Sequence, residues 1–411
     1  MANQIEQGVL KQLRFKRQPA KGTIATNSAG QILRRVTSVF EVKKDIFDSG
    51  TEQNSTQQLV SVRHGSRQVT GTYNDLYSPG THSDLLAALL RRDFAVIAAI
   101  AGASITIAGA GPQYTLTRAA GSFLTDGAKI GMVLRLSVGS FNAANLNKNL
   151  FIIGLTALVA TVLVVNGSAL VAEGPIITST ATPPGKVTYA QTVGQTQIYY
   201  TIEEWFPSVG ASGQSEQNID CRVANMQFTL PGSGNGSITA AFNGLNQLQT
   251  QGAAYFTAPT TESTAEIVGP TTGVLLVQGV AQLVITNMQF TVDAGQKIAE
   301  AVVGAQVRPD LFVDKIVVSG QFSGYFMDAV VSTLFLNEVD TAISMVYPNG
   351  QGAAADFVSF TMSKLNVNSA TPDDVAGGLK RTYQFKAELN QLGGAGTATE
   401  LTTFWVQDSL A

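Results

Sequence analysis

Apolar and polar residues alternate along several short segments of the chain. The segment 224–230 (ANMQFTL) has Ala, Met, Phe and Leu at every second position, with Asn, Gln and Thr between them. The segments 287–292 (NMQFTV), 316–323 (IVVSGQFS) and 358–363 (VSFTMS) alternate in the same way. Because successive side chains of a strand point to opposite faces, each segment predicts a strand with one apolar and one polar face. The pattern predicts a mainly β fold made of half-buried antiparallel sheets.

Two pairs of strand-like segments recur at one separation. The segment 36–39 (VTSV) resembles 285–288 (ITNM), and the segment 69–73 (VTGTY) resembles 318–322 (VSGQF). Positions 39 and 288, and positions 69 and 318, are both 249 residues apart. A tandem duplication of one structural unit is therefore predicted.

Each copy continues with a helical segment and a further pair of strands. The helical segments are 83–90 and 327–334, each with an Asp in its first turn. The further strand pairs are 223–230 with 237–243 in the first copy, and 357–364 with 382–389 in the second. The predicted fold class is thus two tandem β-sandwich units, each flanked by a helix.

The first copy contains a long segment that the second copy lacks. Its runs SITIA, QYTLTR, IGMVLRLSV and TALVATVLVV are separated by Gly, Pro and Asn turns, which predicts a small all-β barrel or sandwich. The predicted domains are a first unit of residues 1–97 and 200–255, an inserted domain of residues 98–199, and a second unit of residues 256–411.

The apolar run 151–171 has the length of a membrane-spanning helix. Gly154 and the sequence Asn166-Gly167-Ser168 interrupt it, and Asn-Gly is a hairpin signal. We therefore predict two buried strands, with a hairpin at Asn166-Gly167 between 161–165 and 168–171, and no membrane anchoring.

Composition narrows the possible functions. Charged residues make up 13% of the chain, against about 25% in an ordinary globular protein. The net charge of -3 disfavours a protein that binds nucleic acid through its phosphates. Cys221 is the single cysteine, so no intrachain disulfide is expected, and the N-terminal sequence has no apolar core of a signal peptide. Synthesis in a reducing cytoplasm is predicted.

The sequence offers little material for catalysis. His64 and His82 are the two histidines, with no zinc-ligand spacing, and the chain has no G-x-S-x-G motif and no phosphate-binding glycine loop with its Lys. Glu203 and Glu204 suggest a glycosidase, in which two carboxylates flank the glycosidic bond. Adjacent residues of a strand point to opposite faces, so these two carboxylates are not expected to converge on one bond. We predict no enzyme, no catalytic residue, no cofactor and no metal.

The most specific stretches of the chain are 34–38 (RRVTS), 62–67 (VRHGSR), 78–81 (SPGT), 84–92 (DLLAALLRR), 121–127 (GSFLTDG) and 221–223 (CRV). Together with the repeat, they resemble the tail tube proteins, or major tail proteins, of long-tailed, siphovirus-like bacteriophages in a duplicated two-unit form. The resemblance implies a structural virion protein whose subunits form stacked rings around the path of the DNA. With two units in each chain, a homotrimeric ring has pseudo-sixfold geometry.

The same resemblance implies the partners. These are further copies of the chain, a tape measure protein inside the tube, tail terminator and distal tail proteins at its ends, and genomic DNA in transit. The inserted domain, which has no counterpart in the second unit, is expected on the tube exterior. Two alternatives stay open: another tail structural protein, such as a terminator or distal ring, and a surface adhesin or carbohydrate-binding β protein.

The polar strand faces carry Ser, Thr, Asn and Gln where exposed strands usually carry Lys and Glu. Such a surface is hydrated without binding phosphates, as a DNA conduit requires. The candidate lumen-facing residues are Asn225, Gln227, Thr229, Asn287, Gln289, Thr291, Ser319, Gln321 and Ser323. The alternation defines the faces and leaves open which face is turned inward.

Two long connections, 43–61 and 293–309, exceed what a hairpin needs. We expect them to reach a neighbouring ring, with a surface loop as the open alternative for 43–61. The candidate inter-ring residues are Asp45, Asp48, Glu52, Gln57, Lys297, Glu300 and Arg308.

Overall fold

A computed structural model describes residues 5–411 except 49, 51–57, 167–168, 211, 270–272, 278–279, 282–284, 326–335 and 374–377. The described residues form 25 strands and one α-helix, which confirms the mainly β fold. The predicted helix at 327–334 lies outside the described residues.

The strands fall into three groups along the chain. The first group and the helix are β1 (Gln12–Arg17), β2 (Gln31–Leu33), β3 (Thr37–Asp48), β4 (Val62–Leu76) and α1 (Ser83–Leu90). The second group is β5 (Ile100–Ala108), β6 (Gln113–Arg118), β7 (Val133–Val138), β8 (Asn149–Leu155), β9 (Val159–Val165), β10 (Glu173–Thr182), β11 (Lys186–Tyr189), β12 (Tyr200–Phe206), β13 (Gln214–Pro231), β14 (Ser237–Gly244) and β15 (Asn246–Gln251). The third group is β16 (Val274–Val277), β17 (Val280–Ala281), β18 (Ile285–Asp293), β19 (Gln296–Ile298), β20 (Leu311–Val313), β21 (Val317–Tyr325), β22 (Thr341–Pro348), β23 (Phe357–Asp373), β24 (Lys380–Ala387) and β25 (Trp405–Asp408).

Two long strands of a 17-stranded sheet have different neighbours along their two halves. The N-terminal part of β13 pairs with β12 and β15, and its C-terminal part pairs with β14. In the same way, the N-terminal part of β23 pairs with β22 and β25, and its C-terminal part pairs with β24. The strand order β3-β4-β14-β13 in the first part of the chain thus recurs as β18-β21-β24-β23 in the second.

These two sets of four strands join edge to edge. β13 pairs antiparallel with β18, so that Gln227 lies opposite Thr291 and Phe228 opposite Phe290. The result is one continuous sheet of eight strands, β3-β4-β14-β13-β18-β21-β24-β23, which we call the central sheet.

One face of the central sheet lies on the main hydrophobic core. Phe228 and Phe290 stack there with ring centroids 4.8 Å apart, and Phe360 lies 5.4 Å or less from both. Helix α1 is buried along Leu85–Leu90 and ends at Arg91, whose left-handed conformation lets its N–H bond back to the last turn.

The glycine of each repeated segment is explained by close packing. Gly71 lies between Phe40 and Phe242, and Gly320 lies between Phe290 and Phe385. A Cβ atom at Gly71 would lie 2.3 Å from the Phe40 ring, and one at Gly320 would lie 2.7 Å from Phe385. Only glycine fits at these two positions.

Strands β5 to β10 close into a separate six-stranded barrel in the order β10-β5-β6-β9-β8-β7. The hairpin predicted at Asn166-Gly167 is wrong, because β9 pairs with β8 and β6 and residues 169–171 form no strand. The chain instead turns at 156–158, where Thr156 Oγ1 accepts a 3.0 Å hydrogen bond from the Val159 N–H. Gly167 and Ser168 lie outside the described residues. No helix in the described part of the chain has the length and apolarity of a membrane span.

The barrel packs on β22, β25 and the N-terminal part of β23. Val133 and Phe151 of the barrel share a hydrophobic cluster with Leu276 and Val346. The predicted polar face of 358–363 is wrong for Ser359 and Thr361, which are both buried. The barrel covers Ser359, whose hydroxyl donates to the Gly131 carbonyl at 2.5 Å.

The predicted strand pairs agree with the structure to different degrees. Val223 lies opposite Phe242 and Thr229 opposite Ser237, as expected for 223–230 with 237–243. In the second copy the pairing with β24 is displaced along β23, to 365–373 with 380–387. The reason is that the first half of β23 already has β22 and β25 on its two sides.

Candidate functional site: the polar face of the central sheet

The nine candidate lumen-facing residues lie together on three neighbouring strands. Gln227 of β13 is opposite Thr291 of β18, and Gln289 of β18 is opposite Gln321 of β21. Their sequence neighbours Phe228, Phe290 and Phe322 are at most 1% exposed, whereas all nine are half-buried or exposed. The structure therefore places all nine on the face of the central sheet that is turned away from the core.

This polar face extends beyond the three predicted strands. One row of opposed residues crosses the whole sheet, in the order Thr37, Asn74, Thr239, Gln227, Thr291, Ser319, Lys386 and Asn366. The side chains bond to one another: Thr239 donates to Asn74 at 2.7 Å, and Asn74 donates to Thr37 at 2.7 Å. Their hydrogen-bonding needs are met partly within the face itself.

Residues of β4, β14 and β24 on this face were missed by the sequence analysis. Thr72 and Asn74 alternate with Gly71 and Tyr73 in the same way as the nine candidates alternate with their apolar neighbours. That alternation was the signal that could have identified them.

Charge is confined to the sides and one end of the polar face. On the outermost strand, Glu41 and Lys43 form an exposed ion pair of 3.3 Å, and Lys386 is exposed on β24. Asp293 is exposed at the end of β18. Between them, the polar-face positions of β4, β14, β13 and β21, and 287–291 of β18, hold no Asp, Glu, Lys or Arg. A shallow depression of ≈ 330 Å³ lies in this uncharged region, with Gln227, Gln289 and Gln321 in its lining.

The candidate inter-ring residues fall in two structural elements. Asp45 and Asp48 lie in an arm, defined as 43–48 of β3 and 62–67 of β4, where the two strands run on together past the other strands of the central sheet. Lys297, Glu300 and Arg308 lie in the connection from β18 to β21. Glu52 and Gln57 lie outside the described residues.

The structure brings the arm and this connection into contact. Arg308 and Asp45 form an ion pair of 3.2 Å, and Ser66 donates to Asp45 at 2.6 Å. The Arg67 N–H donates to the Gln306 carbonyl at 3.0 Å. Arg308 and Asp45 are thus partners within one chain, whereas Asp48 and Glu300 are exposed.

The arm presents apolar side chains to solvent. Ile46 is 63% exposed and Phe47 62%, and Val62 is 54% exposed. His64 is exposed on β4 of the arm, opposite Ile46.

The two adjacent carboxylates that suggested a glycosidase have separate partners. Glu203 is fully buried, lies 3.5 Å from Arg14, and accepts hydrogen bonds from Ser215 (2.6 Å) and the Phe256 N–H (3.1 Å). Glu204 pairs with Lys11. Burial raises the pKa of Glu204, and Lys11 opposes that shift. The two carboxyl groups do not converge on one cleft.

His82 and Cys221 are buried in the structure. The His82 ring stacks on Tyr77 and lies 3.2 Å from Asp75. Burial opposes ionisation of Asp75, but the interaction with His82, together with hydrogen bonds from the Leu76 N–H and the Tyr73 hydroxyl, lowers its pKa. Burial raises the pKa of the Cys221 thiol. Within the described ranges, no three His, Cys, Asp or Glu side chains come together in a group that could hold a metal ion.

Comparison with known proteins adds one finding. A family model described as phage tail tube protein matches residues 8–391, which is nearly the whole chain. Among curated proteins, none matches the chain.

Proposed function

The chain belongs to the phage tail tube protein family, and on that premise we propose that three copies close into a ring and that stacked rings form the conduit for DNA ejection. Family membership makes the chain a structural component of the phage tail in the virion, one that assembles with itself and with other tail proteins. The size of the ring, the face that lines its lumen and the contacts between rings are proposed beyond what family membership shows.

The recurrence of the strand order supports a ring of three. Each chain contributes two sets of four strands in the same order, so three chains present six sets. We assign residues 1–97 with 200–255 to the first unit, 98–199 to the insertion and 256–411 to the second unit.

The observation that carries the lumen proposal is the uncharged polar face of the central sheet. A DNA duplex carries one negative charge per ~1.7 Å of its axis, so a wall of Lys and Arg would bind it tightly. Thr, Ser, Asn and Gln hydrate the channel and leave the phosphates their counterions. The nine candidate residues lie in the middle of this face.

The arm and the connection from β18 to β21 are the proposed inter-ring contacts. Exposed apolar side chains on the arm, Ile46 and Phe47, favour burial against another protein surface. The barrel packs on β22, β25 and the first half of β23, away from the three strands of the nine candidates, which supports an exterior position. A tape measure protein, terminator and distal proteins, and DNA in transit are the proposed partners, with synthesis in the host cytoplasm.

Electron microscopy of the purified protein tests the ring. Class averages along the axis should show threefold symmetry with six similar inner densities and a channel wide enough for duplex DNA. Averages with a true sixfold repeat of whole chains would contradict the trimer. Particles that stay single chains under conditions that assemble other tail tubes would contradict the proposed function.

A further inference from the structure

The central sheet ends in two strand edges that have no partner among the described strands. β3 pairs with β4 on one side only, and residues 366–373 of β23 pair only with β24, since Leu365 also pairs with Thr341 of β22. A free edge presents a row of backbone N–H and C=O groups that another strand can bond. Both edges belong to the same sheet, one at each end.

The pairing of β13 with β18 in the middle of the sheet, which we call the β13–β18 joint, shows how two such edges pair. β13 is the last strand of the first set of four and β18 is the first strand of the second set. They pair antiparallel, with Asn225 opposite Asp293 and Gln227 opposite Thr291. β23 and β3 occupy the same two places, last and first, in their own sets.

The equivalence of β23 with β13 holds residue by residue. In β13 the register against β14 shifts between Val223 and Asn225, where a bulge lies. In β23 the register against β24 shifts between Val367 and Ser369. Phe242 and Phe385, the partners of Val223 and Val367, both lie beside a repeated glycine. Asn225 therefore corresponds to Ser369, and Gln227 to Thr371.

The equivalence of β3 with β18 follows from the same glycines. Phe40 is opposite Gly71, and Phe290 is opposite Gly320. Counting along each strand from these phenylalanines, Glu41 corresponds to Thr291 and Lys43 to Asp293, a separation of 250 residues. The predicted match of 36–39 with 285–288 is therefore wrong by one residue, since Val39 is exposed and Met288 is buried.

We propose that β23 of one copy pairs antiparallel with β3 of a second copy in the register of the β13–β18 joint, with Thr371 opposite Glu41 and Ser369 opposite Lys43. The inference rests on the ring proposed above and names the partner strand and its register. Each chain then contributes one joint within itself and one to its neighbour.

Side-chain chemistry agrees with this register. It places Ala370 opposite Val42, and both are partly buried residues packed on the main core. The neighbouring Thr371 and Glu41 then fall on the polar face. A slip of one residue would put Glu41 on the core side, so only even slips compete with the proposed register.

Disulfide cross-linking distinguishes the proposed register from those slips. Directly opposed strand residues have Cβ atoms ≈ 4.5–5.5 Å apart, whereas diagonal neighbours are ≈ 7–8 Å apart, beyond the reach of a disulfide. The on-register variants are Glu41→Cys with Thr371→Cys, and Lys43→Cys with Ser369→Cys. The slipped control is Lys43→Cys with Thr371→Cys. An intrachain control, Gln227→Cys with Thr291→Cys, reports the joint already present in the structure.

Assembled samples and dispersed chains would be oxidised mildly and run on non-reducing gels. The on-register pairs should convert single chains to covalent trimers only in assembled samples, and the intrachain control should oxidise without forming multimers. The second on-register pair keeps the test valid if the first fails to fold. Rings or tubes in which the slipped pair cross-links as well as the on-register pairs, or in which neither on-register pair cross-links, would overturn the register and leave the proposed function standing. Absence of rings and tubes for the wild-type chain would overturn both.

Discussion

Asp408 is a buried carboxylate whose replacement by Asn should change how stability depends on pH. It lies on β25, is 1% exposed, and accepts hydrogen bonds from the Gly80 N–H (2.8 Å) and the Leu410 N–H (2.9 Å). Burial raises its pKa to about 6, although these hydrogen bonds favour the charged form.

The size of the effect follows from the two pKa values. The ordinary value is 3.8, so the folded chain binds this proton more tightly than the unfolded chain. The resulting stability is fully present below pH 3.8 and is lost as the pH rises through about 6. At 1.36 kcal/mol per pH unit, the free energy of unfolding should fall by about 3 kcal/mol across this window because of Asp408.

Asp408→Asn keeps an oxygen that can accept the Gly80 N–H but removes the titration. The variant should resemble the wild type near pH 4 and become more stable than it by up to about 3 kcal/mol near pH 7. Denaturant unfolding of unassembled chains at several pH values measures this difference. Asp48→Asn, which removes an exposed carboxylate of the arm, is the matched control. A wild-type minus variant difference that does not change between pH 4 and 7 would refute the reasoning.

Three further substitutions test the core, the repeat and the polar face. Phe290→Ala should cost about 3–5 kcal/mol in denaturant unfolding, because it removes the ring stacked on Phe228. Gly320→Ala should destabilise by at least about 1–3 kcal/mol in the same assay, because its Cβ would lie 2.4 Å from the Gln289 carbonyl. Gln227→Lys should leave tubes intact by microscopy but slow DNA ejection most at low salt, whereas Gln113→Lys on the exposed barrel surface should not. Equal rates of DNA ejection for the two variants would show that the polar face does not line the lumen.

A feature of the fold could be predicted from the sequence where a short residue pattern has only one structural explanation. The alternation in 224–230 and 287–292 predicted both faces of β13 and β18, because side-chain direction in a strand has period two. The repeated Val-x-Gly motif marked β4 and β21, and its glycines are the positions that have a Phe opposite them on both neighbouring strands.

The predictions failed where contacts between segments that are distant in sequence determine the structure. Ser359 alternates with Val358 and Phe360 as regularly as any of the nine candidates, yet it is buried because the barrel packs on it. No residue pattern in the sequence near Ser359 predicts that contact. The turn of the 151–171 run was misplaced because Asn166-Gly167 is a stronger local signal than Thr156, whereas the pairing of β8 with β9 requires the turn to lie between them.

The barrel and residues 255–256 cover corresponding strands beside the two recurring sets of four strands. Beside the first set of four strands, Arg14 is opposite Glu203, and the backbone N–H groups of residues 255 and 256 donate hydrogen bonds to Glu203. Beside the second set of four strands, Leu276 is opposite Ser344, and there the barrel packs on Leu276.

The barrel packs its apolar residues Val133 and Phe151 against Leu276, so this surface is apolar, whereas the surface beside the first set of four strands has the buried Arg14–Glu203 ion pair. The barrel strands precede β12 in sequence and pack on β16, β22 and β23 in space. The barrel is therefore a structural part of the subunit, since its removal would expose Leu276, Val346 and Phe357 to water.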